Sequence, residues 1–220
     1  MKCTKKKKGQ KMKVIVLEHP MNSDWLKAKQ RALVTVGLTT EKAPAEDWKI
    51  KMLKCRHSPI RKLTFAFLLL DVPYWLSTEL CRHHEGIEKY VKSQRNDRTK
   101  EEKPRAEKPQ GALVNMIVDV NADSLMQIMN KRLCGCATKE MQELMLMIRE
   151  EVIKTNPEFK QFLIPMCEYL HTCNEFNSCG KKALYFEKTE KPKKWVDNYE
   201  DYQNASNDIT FSDYPYYRGK

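Results

Sequence analysis

Arg82, His83, His84, Lys89, Lys92, Ser93, Arg95 and Arg98 fall within seventeen consecutive positions of this 220-residue chain. Guanidinium groups suit phosphates because their planar fork donates two parallel hydrogen bonds, and imidazole donates or accepts near neutral pH. The turn Ser93-Gln94-Arg95 sets a hydroxyl, an amide and a guanidinium side by side, a combination able to hold one nucleotide phosphate. Composition alone allows a plainer reading, a solvated charge run beside a helix end in which His83 is structural.

The cysteines form the second chemical grouping. Of eight in the chain, Cys134 and Cys136 follow a helical stretch, and Cys167, Cys173 and Cys179 recur as Cys-x5-Cys-x5-Cys. A tetrahedral thiolate site made of Cys134, Cys167, Cys173 and Cys179 could hold zinc and clamp an irregular C-terminal segment onto that helix. Wide spacing also fits simple thiols or a disulfide, and an iron–sulfur cluster lacks its usual spacing here. Cys3, Cys55 and Cys81 have no evident ligand partners in the sequence.

These groups need a scaffold. Met12 to Leu17 reads as an opening strand, rich in valine and isoleucine. Trp25, Ala28, Ala32, Leu33 and Val36 recur at helical spacing, which predicts a first helix over 24–36 stopped by Gly37. Residues 38–56 are polar and contain Pro44. Ile60 to Leu70 reads as a strand, and Asp71-Val-Pro-Tyr as the entry to a helix reaching about Glu85. The stretch 96–110 reads as an exposed loop and Ala112 to Val120 as a strand. Two helices come next, over 121–133 and 138–154, whose methionines fill core gaps. A short helix is expected over 158–163. From Lys181 onward aromatics are scattered without periodicity, as in a tail that wraps a surface or stays disordered.

The totals bound the function. An apolar share of 41% supports a core, 31% charged residues give a solvated exterior, and net charge +11 calls for anionic partners. Nucleic acid is one candidate, less favoured than a small phosphorylated ligand because zinc-finger, basic-zipper and RNA-binding aromatic motifs are all missing. No apolar run is long enough to span a membrane, and the lysine-rich start lacks a signal-like apolar region, so cytoplasm is the simplest location. The expected organisation is a basic tail over 1–11, one α/β domain over 12–165, and a cysteine-bearing segment and tail over 166–220.

Residues 56–98, RHSPIRKLTFAFLLLDVPYWLSTELCRHHEGIEKYVKSQRNDR, resemble the central signature of flavin-dependent thymidylate synthases: a strand, a proline-led helix, Arg-His-Arg, then Ser-x-Arg. Asn121-Ala-Asp-Ser-Leu-Met-Gln-Ile-Met-Asn-Lys-Arg132 is similar to the family's late helix, Asn-x-Arg-Ser-Leu running to an arginine. The resemblance covers about residues 12–165. It implies an α/β protomer with a mostly antiparallel sheet, assembling as a homotetramer or at least a homodimer. It further implies FAD, with NADPH and methylenetetrahydrofolate as co-substrates, and one-carbon transfer to C5 of dUMP. Carried over by position, Arg82, His83, His84 and Asn121 would meet the flavin. Glu79, Ser93, Gln94, Arg95 and Arg132 would meet the nucleotide, with Arg132 also catalytic. A cation at a pyrimidine carbonyl stabilises charge developing in the ring; otherwise Arg132 simply complements the dipole at its helix end.

The departures are specific. His84 stands for an arginine, Asn96 for a tyrosine, Glu79 for a frequent glutamine, Lys62 for a histidine and Asp123 for an arginine, and the interval before Ser93 is one residue longer. They keep two alternatives open: a methyl- or hydroxymethyl-transferase acting on another pyrimidine nucleotide, and a non-catalytic binder of the same fold.

Overall fold

In a computed structural model the chain is described at residues 11–99, 104–170, 173–176 and 179. The basic start over 1–10 and the tail from Lys181 lie outside the described residues, as does His171 within the cysteine segment.

Four strands form one antiparallel sheet: β1 (Lys13–Glu18), β2 (Thr64–Pro73), β3 (Ile87–Val91) and β4 (Leu113–Asn121), in the order β1-β2-β4-β3. Seven helices are present among the described residues: α1 (Asn22–Val34), α2 (Glu46–Lys54), α3 (Tyr74–Cys81), α4 (Asn96–Thr99), α5 (Ala122–Arg132), α6 (Lys139–Thr155) and α7 (Met166–Leu170). The expected α/β class with an antiparallel sheet is what the chain adopts.

Alternation explains the layering. Along β4, Val114, Met116, Val118 and Val120 are buried while the residues between them are not. Their partners on β2, Phe65, Phe67 and Leu69, lie in the same core with Trp25, Met126, Met129, Met141, Leu144 and Phe159. Helices therefore pack against one sheet face. On the opposite face Ile15, Leu68, Ile117 and Tyr90 make a cross-strand row, with Ile15 and Tyr90 exposed.

Trp25 ties the start of the core to its end. Its indole Nε1 donates to Glu158 Oε1 at 2.9 Å, its ring packs on Phe159, and Phe159 meets Phe65 edge-on. Glu158 is buried but served: Asn156 Nδ2 donates to the same oxygen at 3.3 Å, and Lys49 Nζ lies 3.8 Å away.

Several local expectations change. The polar stretch 38–56 contains α2, because Met52 and Leu53 bury one side of Glu46–Lys54 even though the remaining positions are mostly polar or charged. The strand expected from Ile60 begins only at Thr64, after a 3-10 turn over Ser58–Lys62 that buries Pro59 and Ile60. It also runs further, through Pro73. Asp71 takes φ 56 and its N–H donates to Asn115 Oδ1 at 3.1 Å, where the pairing with β4 shifts register. α3 ends at Cys81 instead of about Glu85, and the basic residues after it lead into a strand, β3, that pairs with β4. Its pattern is masked by Lys89, which interrupts an otherwise alternating run. The helix expected over 158–163 is a 3-10 turn, Pro157–Phe159, succeeded by turns.

Candidate functional site

Two sequence-distant pieces meet at the ends of α3 and α5. Arg132, the last residue of α5, donates from Nε to His83 Nε2 at 3.0 Å and from Nη2 to the Glu79 carbonyl oxygen at 3.5 Å. The bond to Nε2 requires that nitrogen to be unprotonated, which places any ring proton on Nδ1. His83 is held in that state: burial, then the charges of Arg132, Lys89, His84 and Lys131, lower its pKa from 6.5 to about 4. Lys89 Nζ bonds the His83 carbonyl oxygen, pinning the same residue from β3. An arginine has five N–H donors, so the Arg132 guanidinium keeps donors beyond these two bonds.

The other end of α5 is fixed by Asn121. Its side-chain oxygen accepts from Ser124 N at 2.9 Å, an N-cap, and its N–H donates to Gly86 O at 2.9 Å. Gly86 has φ 63, and a Cβ there would collide with the Asn121 amide and the Ser124 hydroxyl, so glycine is required both by conformation and by space. One turn on, the buried Asp123 accepts from Arg61 Nε at 3.1 Å through Oδ2, while Oδ1 has no partner. Nothing in the sequence singles out Arg61 except its place beside Lys62.

Ser93-Gln94-Arg95 closes on itself. Arg95 N donates to Ser93 Oγ at 3.2 Å, and the Arg95 guanidinium grips Asp97 through Nε at 3.0 Å and Nη2 at 2.6 Å. The Gln94 carbonyl accepts from Lys108 Nζ at 3.2 Å, which brings the far side of the 96–110 segment against the turn. Arg82 caps α3 and is exposed, as is His84 at the same end, whereas Glu79 is half-buried.

The comparisons with known proteins bear on this arrangement. The family model for thymidylate synthase complementing protein matches residues 87–158, from β3 through β4 and α5 to the turn after α6. Among solved structures, thymidylate synthase X (ThyX) from Helicobacter pylori with FAD and dUMP superposes with a TM-score of 0.55 at 15% identity, covering 71% of this chain and 99% of that one. The flavin-dependent thymidylate synthase ThyX from Helicobacter pylori complexed with FAD and dUMP gives 0.54 at 16% identity, covering 69% and 97%. The chain therefore has the fold of the flavin-dependent thymidylate synthases, and part of its sequence matches the family model. A search of curated protein sequences gave no match.

The fold gathers Glu79, His83 and Arg132 directly. Asn121 adjoins the same helix as Arg132, one helix length away, with its oxygen committed to capping. Ser93, Gln94 and Arg95 form their own turn beyond β3. The thiols singled out in the sequence lie just after α5 and in the segment beyond α6. Cys134 is buried there, Cys167 and Cys173 are half-buried, and Cys179 is exposed, all four as unbridged thiols. Burial foremost, then Cys134, Glu168, Cys173 and Cys179, pushes the Cys167 thiol up to about 11. Among the described residues no three Cys, His, Asp or Glu side chains already converge on a point that would hold a metal ion. No helix among them is long and apolar enough to cross a membrane.

Proposed function

We propose that this chain transfers a one-carbon unit to C5 of a uracil nucleotide, converting dUMP to dTMP, with FAD as cofactor and NADPH and methylenetetrahydrofolate as co-substrates. The contact from Arg132 to His83 carries the reading, because it joins the two separately recognised motifs into one donor cluster across 49 positions.

The residues fit an anionic cofactor. Arg82 and His84 are donors at the end of α3, both reachable from solvent. Asp123, standing where the superfamily has an arginine, would on its own repel a diphosphate. Arg61 at 3.1 Å returns a guanidinium to that place and is itself 62% exposed, so it can serve the carboxylate and an anion together. When bound, FAD supplies hydride transfer; the protein supplies placement and field. Arg82, His84 and Arg61 would hold the negative part of the cofactor, and His83 would orient Arg132 instead of carrying a proton.

Arg132 then directs its remaining N–H groups at a pyrimidine carbonyl. A fixed donor aimed where negative charge develops lowers the barrier without reorganisation at the moment of reaction. Ser93, Gln94 and Arg95 would take the nucleotide phosphate, with the Arg95 guanidinium exchanging the Asp97 carboxylate for it. The pair is exposed on both sides, so that exchange costs only about 0.2–1 kcal/mol. The open sheet face with Ile15 and Tyr90 suits contact with a second copy, and assembly as a homotetramer or homodimer belongs to the same proposal.

The test is a nucleotide panel on the purified, flavin-loaded protein. Reduced flavin should be reoxidised anaerobically with methylenetetrahydrofolate only when dUMP is present, giving dTMP. Selective response to UMP, dCMP or CMP would redirect the substrate. A protein that neither binds FAD nor binds any of the four nucleotides would remove the enzymatic reading.

A further inference from the structure

A cleft of about 390 Å³ opens between the starts of α1 and α2 and the end of α6, and no residue of α3 or α5 lines it. That volume is within the range of small-molecule sites. The fold brings three helix ends to it. Asn22 is the first residue of α1, Glu46 the first of α2, and Thr155 the last of α6, with Asn156 as its cap. Helix starts carry partial positive charge on unpaired N–H groups, and helix ends partial negative charge on unpaired carbonyls. The wall of the cleft therefore carries both signs.

Its side chains repeat that polarity. Lys49 and Glu158 both line the cleft and are nearly enclosed, with 16% and 6% of their side chains exposed. Lys49 Nζ lies 3.8 Å from Glu158 Oε1, an ion pair too long to be a hydrogen bond. Lys49 donates instead to Asn22 Oδ1 at 3.2 Å, and an ammonium has three N–H groups to give. On the carboxylate, Trp25 Nε1 and Asn156 Nδ2 both donate to Oε1, so Oε2 keeps its capacity to accept. Asn156 is only 4% exposed, its Nδ2 also donates to Pro20 O at 3.0 Å, and its Oδ1 is buried with no hydrogen-bond partner. An unpaired buried acceptor is costly and calls for a reason. An N–H donor seated in the cleft that this side chain lines would pair it.

We propose that the cleft binds a free α-amino acid with an uncharged side chain, at a second small-molecule site separate from flavin and nucleotide. Such a zwitterion bears its two charges on groups attached to one carbon, which suits a wall whose opposite charges stand 3.8 Å apart. Its carboxylate takes the remaining N–H groups of Lys49 and those at the starts of α1 and α2. Its ammonium meets Glu158 Oε2, Asn156 Oδ1 and the last carbonyls of α6. A simple anion would face Glu46 and Glu158, and a simple cation would face Lys49, so a molecule of both signs is served better than either. Met21 and Pro157 add apolar surface for the ligand's side chain. The ligand bridges the first helix to the end of α6, the junction that the Trp25 to Glu158 bond closes, so occupancy registers as stability of the core.

Melting the full-length protein with each uncharged α-amino acid in turn tests the site. At least one should raise the midpoint by about 2–4 °C at roughly five times its dissociation constant, and titration calorimetry should give one site per chain. For that amino acid, the methyl ester, which lacks the anionic carboxylate, and the matching acid without the amine should each bind about tenfold more weakly or worse. Lys49→Gln and Glu158→Gln should weaken binding to a similar extent, whereas Lys139→Gln, at the opposite end of α6, should leave it unchanged. Should Glu158→Gln fail to fold, Lys49→Gln and the two analogues decide. No shift with any of these amino acids at millimolar concentration, equal binding of an analogue lacking one charge, or unaltered affinity in Lys49→Gln overturns the site. All of these are read without FAD, nucleotide or turnover, so this site and the flavin reading fail separately.

Discussion

The cluster at the ends of α3 and α5 and the turn Ser93–Asp97 hold similar side chains in opposite circumstances. Arg132 reaches partners 49 and 53 positions away and is half-buried, whereas Arg95 reaches Asp97 two positions away across an ion pair open to water on both sides. The first arginine has been aimed by the fold before any ligand arrives. The second is held by an exposed carboxylate neighbour, which the nucleotide phosphate of the proposed function would displace. Preorganised donors raise the rate of a chemical step, while exchangeable ones contribute mainly to ground-state affinity.

Substitutions on either side can break that contrast. Arg132→Ala should lower turnover by roughly 100-fold or more with the fold retained, read as dTMP formation and as an unchanged melting transition. Equal turnover would strip Arg132 of its role. Arg95→Ala should instead raise the KM for the nucleotide about tenfold and leave kcat nearly constant, the signature of binding felt equally in ground and transition states. A matching fall in kcat would erase the difference between the two arginines. Asn121→Ala removes the cap of α5 and should cost about 1 kcal/mol in denaturant unfolding; the accompanying loss of activity should be small, since the helix end carrying Arg132 is the opposite one.

The smallest effect concerns pH. The folded chain keeps His83 unprotonated down to about 4, while the unfolded chain binds that proton near 6.5. Stability from this group is therefore complete above the unfolded value and declines as pH falls from about 6.5 towards about 4, since the unfolded state then binds more protons. Desolvation leads the causes, with Arg132 next, and Lys89, His84 and Lys131 contribute from neighbouring positions. His83→Gln keeps an acceptor for Arg132 and should flatten that slope, seen by comparing unfolding midpoints at about pH 7 and about pH 5. A slope unaltered by the substitution would mean that other groups dominate.

How much the sequence reveals depends on how each element announces itself. α5 and α6 are legible because long apolar stripes recur at helical spacing, and β4 because it alternates cleanly. α2 escapes notice because only Met52 and Leu53 of its nine residues are buried, too few to set a period. β3 is hidden by its chemistry: Glu88, Lys89 and Lys92 look like part of a charge run when their pairing with β4 is unseen. The site divides along the same line. Arg132, His83 and Glu79 stand out by motif, but their mutual contact is a tertiary fact, and Arg61 can be found only through Asp123 on another element. The capping duty of Asn121 is local and is obscured by a functional expectation for the same residue.

The bond from Trp25 to Glu158 bears on how the chain is made. The first helix finds its final hydrogen-bond partner 133 positions later, and the ring it packs on comes next, at Phe159. A ribosome must therefore deliver nearly the whole core before its opening helix can settle, and contacts of such long span slow the search. Nascent chains stopped short of Phe159 leave an unfilled groove beside Trp25 and Phe65, an obvious hold for chaperones during synthesis.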